Sequence, residues 1–141
     1  MTPTQIALVQ DSFAKVIPIS ETAAVLFYDR LFEIAPQVKA MFPNDMAEQR
    51  RKLMVMLAAV VKGLGNLESI LPAASALAKR HVSYGAKVEH YPVVGSALLW
   101  TLEKGLGDGW TPDVADAWTS AYGTLSGYMI SEAYGRSQAA E

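Results

Sequence analysis

Leu77-Ala78-Lys79-Arg80-His81-Val82-Ser83-Tyr84-Gly85 is the stretch that decides how this chain is read. It is helix-like, with Leu77 and Ala78 one turn before a histidine and a glycine four residues after it. The extended dipeptide Tyr91-Pro92 comes next. His81 is one of two histidines, the other being His90. A lone histidine on a partly apolar helix is ordinarily a core or surface residue. The face before His81, however, is apolar without being closed by a large side chain, so it can also rest against a flat hydrophobic cofactor. Neutral imidazole is a good ligand for an iron centre when its second nitrogen is held by a carbonyl or similar acceptor.

Outward from this stretch the periodicity is helical throughout. Thr2-Pro3-Thr4-Gln5 is a helix start with a cap, a first-position proline and a capping-box glutamine. Ile6, Val9, Phe13 and Val16 recur at helical spacing until Pro18. Ser20 begins a second helix with Ala24, Phe27, Tyr28, Leu31 and Phe32 inside, ended by Pro36. Gln37 to Phe42 is a short helical turn. Asp45 with Glu48 predicts a capping box opening a third helix, along which Met46, Gln49, Leu53, Met56, Leu57, Val60 and Leu64 share a side. Ile70 to Val82 is the next helix, with Pro72 near its first turn. Pro92 opens an apolar helix through Val94, Leu98, Leu99 and Leu102, closed by Gly105, Gly107 and Gly109. Thr111-Pro112-Asp113 starts the last helix, with Trp118, Tyr122, Leu125 and Met129 inward. No strand-like alternation, internal repeat or low-complexity tract interrupts the pattern. The expectation is all-α: six to seven helices in one domain over 1–141, with residues 135–141 a frayed tail. Proline stops leave the helices unequal, which suits crossed packing around a pocket better than an even four-helix bundle.

Composition removes other classes. The 141 residues suffice for one well-developed core, and 51% are hydrophobic against 18% charged. Twelve basic and fourteen acidic residues give a net charge of -2 with no long basic run, so nucleic acid is not an expected partner. With no cysteine, disulfides, zinc–thiolate sites, iron–sulfur clusters and thiol nucleophiles are excluded. The longest apolar run, Leu53 to Val61, is nine residues, against the ~20 that a membrane span needs. With no apolar signal core near the start, the expected location is cytoplasmic.

Leu26-Phe27-Tyr28, Met41-Phe42, Gln49-Arg50-Arg51-Lys52-Leu53-Met54, Arg80-His81, His90-Tyr91-Pro92-Val93-Val94-Gly95, and Trp118 with Ala121-Tyr122-Gly123 together resemble the globin family. The likeness is to bacterial single-domain haemoglobins and the haem domain of flavohaemoglobins, over about residues 4 to 134. It implies a globin-like fold around haem b, with His81 the proximal iron ligand and Phe42 the aromatic that wedges the haem. It also implies that Tyr28 and Gln49 are a distal polar pair and that Leu53 closes the pocket one turn later. Residues 49 and 53 do share a helix face. From the residues alone, Tyr28 reads as an ordinary core tyrosine and Gln49 as a solvated first-turn residue; the family pattern reverses both. A hydroxyl and an amide facing bound dioxygen donate hydrogen bonds to partly negative oxygens and slow its release. Lys52 and Arg80 either pair with haem propionates or form solvated helix faces. Leu77, Tyr91, Val94, Tyr122, Leu125 and Met129 are candidates for the rest of the wall, and core packing explains them equally. His90 is expected at the surface without a liganding role.

The likeness has departures. Flavohaemoglobins carry flavin- and nicotinamide-binding domains, and neither is expected within these 141 residues. Gly105-Leu106-Gly107-Asp108-Gly109 follows a helix and so fails as a nucleotide loop. Electrons for turnover are therefore expected from a separate reductase. The subfamily's tyrosine that polarises the proximal histidine corresponds to Tyr91. Its glutamate position falls on Ala133, with Glu132 one residue early, about 100° around a helix. Three functions follow: reversible binding of dioxygen, NO or CO; nitric oxide dioxygenase activity with a partner reductase; or a haem-free interaction module, against which His81, Phe42 and the distal pair argue.

Overall fold

A computed structural model describes residues 1–83 and 87–140, with side chains placed for 1–82 and 87–133. Tyr84 and Gly85, quoted above, lie outside the described residues. The elements are α1 (Pro3–Val16), α2 (Ser20–Ile34), α3 (Ala47–Lys62), α4 (Leu67–Ser83), α5 (His90–Leu106) and α6 (Pro112–Ala140). Short 3₁₀ turns cover Ile17–Ile19, Pro36–Met41, Gly63–Gly65 and Gly107–Gly109. Among the described residues there is no strand, and no helix is long and apolar enough to cross a membrane.

Local chemistry sets most boundaries. The Thr2 hydroxyl accepts from the Gln5 amide at 3.1 Å while the Gln5 side chain accepts from the Thr2 amide at 3.0 Å, completing the predicted box. Thr111 accepts from the Val114 amide at 3.2 Å and starts α6. Gly107, at φ 54°, turns the chain out of α5.

Two expectations are corrected. Asp45 accepts from the Ala47 amide at 3.0 Å, but Glu48 does not reach back; it pairs with Arg51. The carboxylate that would close a capping box is thus taken by a cation one turn on, and the residue at the cap is Met46. Pro72 is not in the first turn of α4, because the helix begins earlier, at Leu67. The Asn66 carbonyl accepts from both the amide and the hydroxyl of Ser69, which supplies the early start.

The main core gathers Val9, Phe13, Phe27, Tyr28, Leu31, Leu98, Leu102 and Trp118 from α1, α2, α5 and α6, with α3 laid against it. Its buried polar atoms are paired: Ser12 donates to the Leu8 carbonyl at 2.6 Å and accepts from the Trp118 indole at 2.8 Å, tying α1 to α6. A smaller cluster of Ala74, Ala78, Tyr91 and Met129 joins α4 and α5 to α6. α3 and α4 meet at the corner between them. A Cβ on Gly63 would stand 2.3 Å from Ile70 Cγ2, so only glycine lets α4 pass so close. Beyond that corner α3 packs on α1 and α2, whereas α4 packs on α6.

Candidate functional site

The two helices diverging from this corner carry the residues singled out in the sequence. Gln49 lies fourteen residues before Gly63 (63 − 49), and His81 lies fourteen residues after Leu67 (81 − 67). At 1.5 Å per residue each stands roughly 21 Å out along its helix. Because α3 and α4 take their packing from different partners, Gln49 and Leu53 stand on the side of the main core and Leu77 and His81 on the side of the smaller cluster.

On the α3 side, the Gln49 side-chain amide donates to the Tyr28 hydroxyl at 3.1 Å. Tyr28 is 5% exposed and held on three sides. Phe27 meets it edge-on at 4.9 Å between ring centres, Phe42 edge-on at 5.5 Å, and Phe32 tilted at 6.0 Å. Burial raises the Tyr28 pKa and the Gln49 bond offsets this only in part, so the phenol stays protonated. Since its oxygen accepts from Gln49, its own proton is available to a third group. Leu53, one turn from Gln49, packs on the main core and lines a small apolar cavity with Phe27 and Leu98. Phe42 is partly buried at the end of the Pro36–Met41 turn, where proline sets the first residue's φ.

On the α4 side, His81 is partly buried, and its Nδ1 lies 2.7 Å from the Leu77 carbonyl. A carbonyl can only accept, so Nδ1 carries a proton, and in the neutral ring Nε2 is the nitrogen without one. The Tyr91 ring is 6.4 Å from the imidazole, centre to centre, with the planes 31° apart. Leu77 packs in the small cluster beneath.

The structure therefore groups Tyr28, Gln49, Phe42 and Leu53 on one side and His81, Leu77 and Tyr91 on the other. Val94 packs against the main core. Lys52 and Arg80 are exposed. His90 is partly buried in the first turn of α5, where its Nδ1 accepts from the Lys87 amide at 3.0 Å, a capping contact. Glu132 is exposed and accepts from Ser75 at 2.8 Å, bridging α6 to α4, while Ala133 packs in the small cluster. The register read from Trp118 thus places an alanine, and no carboxylate, against that cluster. Sequence reasoning missed the Arg30 and Lys104 cations over the Trp100 ring, at 5.1 and 5.8 Å; Arg30 arrives from α2, which no spacing rule links to α5, whereas Lys104 lies one turn after Trp100 on α5 and its spacing could have found it.

Comparison with known proteins fits this architecture. The globin family model matches residues 25–129. The chain is 36% identical over 128 residues to a flavohemoprotein of Rhodopirellula baltica, covering 89% of this chain and 31% of that protein. It is 34% identical over 113 residues to a flavohemoprotein of Bacillus subtilis, covering 78% and 28%. The chain thus spans less than a third of the length of these curated relatives. Among solved structures, a bacterial globin from Campylobacter jejuni is similar at TM-score 0.79 and 28% identity, over 94% of this chain and 96% of that one. An engineered carbene transferase from Rhodothermus marinus, provisionally assigned as a nitric oxide dioxygenase, superposes at TM-score 0.84 and 25% identity, over 100% and 99%. With the family pattern running from α2 to α6 and the helices arranged as in these structures, the chain belongs to the globin family.

Proposed function

We propose that this globin holds a b-type haem through His81 and reversibly binds dioxygen, and NO or CO, beneath Tyr28 and Gln49. The observation that carries the proposal is the Gln49–Tyr28 hydrogen bond inside an aromatic cage, which leaves a protonated phenol as a fixed donor. Membership of a haem-binding family supports the cofactor, and the absence of cysteine argues against thioether attachment of the haem. The residues present fit such a group. His81 presents Nε2 because Leu77 holds Nδ1, and α3 and α4 take their packing from other helices, leaving their facing stretches for a flat apolar ligand. Phe42, Leu53, Leu77 and Val94 supply apolar wall, and Lys52 and Arg80 are exposed cations suited to propionates at the edge. When bound, the haem iron supplies the coordination site for the gas. The protein's own work is to hold the imidazole, exclude water, and aim the Tyr28 proton and the Gln49 amide at the ligand's partly negative atoms. Tyr91 lies beside the imidazole; with Glu132 engaged by Ser75, the acceptor given to Nδ1 is the neutral Leu77 carbonyl.

The flavohemoprotein relatives and the Rhodothermus neighbour favour a second reading on the same site. This is nitric oxide dioxygenation, in which bound O₂ and NO give nitrate, with a separate flavin reductase returning the electron in the cytoplasm. Mixing the oxygenated protein with NO in a stopped-flow cell, then adding a reductase and NADH, separates the two. A single stoichiometric oxidation that stalls in the ferric form is the outcome for a binder. Sustained NADH consumption assigns the enzyme instead.

A further inference from the structure

Phe32 touches two rings at once, those of Tyr28 and Phe42. It stands on α2, partly buried and one turn after Tyr28, so the two side chains share a face of the helix. Side chains on a helix lean toward its N-terminus, which carries the Phe32 ring back onto Tyr28. The ring centres are 6.0 Å apart, with the planes at 36°. Phe42 lies 5.4 Å from Phe32, with the planes at 60°, and meets Tyr28 edge-on at 5.5 Å. The three rings close a triangle, each side of it within the roughly 4.5–7 Å of an attractive aromatic pair.

The three members are not held alike. Tyr28 and Phe32 are fixed by α2, whereas Phe42 follows the Pro36–Met41 turn on extended backbone, at φ −116° and ψ 152°. Its amide donates to the Lys39 carbonyl at 3.1 Å, within that turn. The helix-borne Phe32 ring is therefore what the turn-borne Phe42 ring rests against, and the same ring stands against the phenol. The phenol oxygen is in turn bonded to Gln49, so a change at Phe32 reaches the Gln49 bond through the Tyr28 ring alone.

We propose that Phe32 is a positioning residue for Tyr28: by bracing both Phe42 and the phenol, it ties the aim of the Tyr28 hydroxyl to the ring that would wedge the haem. The inference rests on Tyr28 facing the gas, and its test separates the two claims. Phe32→Leu removes the ring and keeps an apolar side chain. Phe32→Met, longer and more adaptable, takes its place should Phe32→Leu not fold. Phe32→Tyr restores the ring. Phe13→Leu is the control, because that ring pairs with Trp118, at 6.2 Å, in the same core. The readouts are the C–O stretching band of the CO-treated ferrous protein, the O₂ dissociation rate, and the Tyr28 ring and Gln49 side-chain amide NMR resonances of the haem-free protein. Phe32→Leu is expected to split the band or shift it toward its position in Tyr28→Phe, and to move both sets of resonances. The O₂ dissociation rate should rise roughly two- to tenfold, as the loss of one aromatic pair implies. Phe32→Tyr returns these values to those of the wild type, and Phe13→Leu lowers the melting temperature with the band in place. A wild-type band and wild-type resonances in Phe32→Leu overturn the proposal, even if melting falls, because a merely structural contact changes stability alone. A Phe13→Leu protein displaced as far as Phe32→Leu overturns it as well. If Tyr28→Phe itself leaves the band unmoved, the distal reading fails. The haem-free resonances then decide by themselves: displaced in Phe32→Leu they support the coupling, and unmoved they refute it.

Discussion

Tyr28 sits in a core to which α1, α2, α3, α5 and α6 all contribute, flanked by three phenylalanines and bonded to Gln49. His81 stands partly buried at the edge of a cluster whose buried members are Ala74, Ala78, Tyr91 and Met129, two of them alanines. The fold assembles the first group by itself: bulky aromatic packing fixes the phenol, and the hydrogen bond completes it. The second group has little apolar volume of its own. The imidazole takes its orientation from a carbonyl one turn back and from a neighbouring ring. A bound haem would add its largest apolar contact where the protein has least, so cofactor and fold would stabilise complementary halves.

The widest difference should appear in stability. Leu31 is 2% exposed at the centre of the main core, and Leu31→Ala should cost the haem-free protein about 2–5 kcal/mol in denaturant unfolding. Met129→Ala, among small neighbours, should fall at the low end of that range. In native-state hydrogen exchange α4 amides should open before those of α2. Equal costs and simultaneous exchange would erase the contrast between the halves.

Next comes the distal pair. Tyr28→Phe removes a donor worth about 1.5–3 kcal/mol to a partly charged acceptor, so the O₂ dissociation rate should rise roughly tenfold or more. Gln49→Leu should act in the same direction. With the two groups 3.1 Å apart, the double variant should fall short of the sum of the single effects. Rates unchanged in both single variants would remove Tyr28 and Gln49 from the site.

The smallest effect concerns pH. Burial raises the Tyr28 pKa above that of a free tyrosine, near 10. A group with a raised folded pKa contributes fully below its unfolded value and loses that contribution as pH climbs through the folded one. The O₂ dissociation rate should therefore stay flat from neutral pH to about 10 and increase only beyond it. An increase near neutrality that tracks a phenol would contradict the buried, protonated donor.

Much of this was legible in the residues. The capping box at Thr2, the Pro36 stop and the Thr111-Pro112 start are local signals, and local hydrogen bonds decide them. The spacing of Gln49 and Leu53 placed both on one helix face, and packing joined Gln49 to Tyr28 across 21 residues. The failures were also physical. Asp45 and Glu48 have capping-box spacing, but Arg51 competes for the carboxylate, and spacing carries no account of competition. Ser69 and Asn66 start α4 before Pro72, so the proline falls inside the helix. The Tyr122 hydroxyl donates to the Tyr91 carbonyl, and a Cβ on Gly95 would run into the Tyr122 ring; both depend on how α5 meets α6, which a single chain's periodicity does not encode. Gly95 stood in the motif, but nothing in the sequence named the ring that needs its missing side chain.

The central claim is that His81 holds haem iron, and an absorption spectrum tests it most directly. Wild-type protein purified with haem should show a Soret band that shifts on adding CO to the ferrous form. Loss of an outer partner of a metal-binding histidine costs about 10–100-fold in affinity, so His81→Ala, which removes the ligand itself, should lower haem affinity by more than about 100-fold. The Soret band per protein should then collapse, while helical content is kept. A His81→Ala protein with wild-type haem content and an unchanged Soret spectrum would contradict the account.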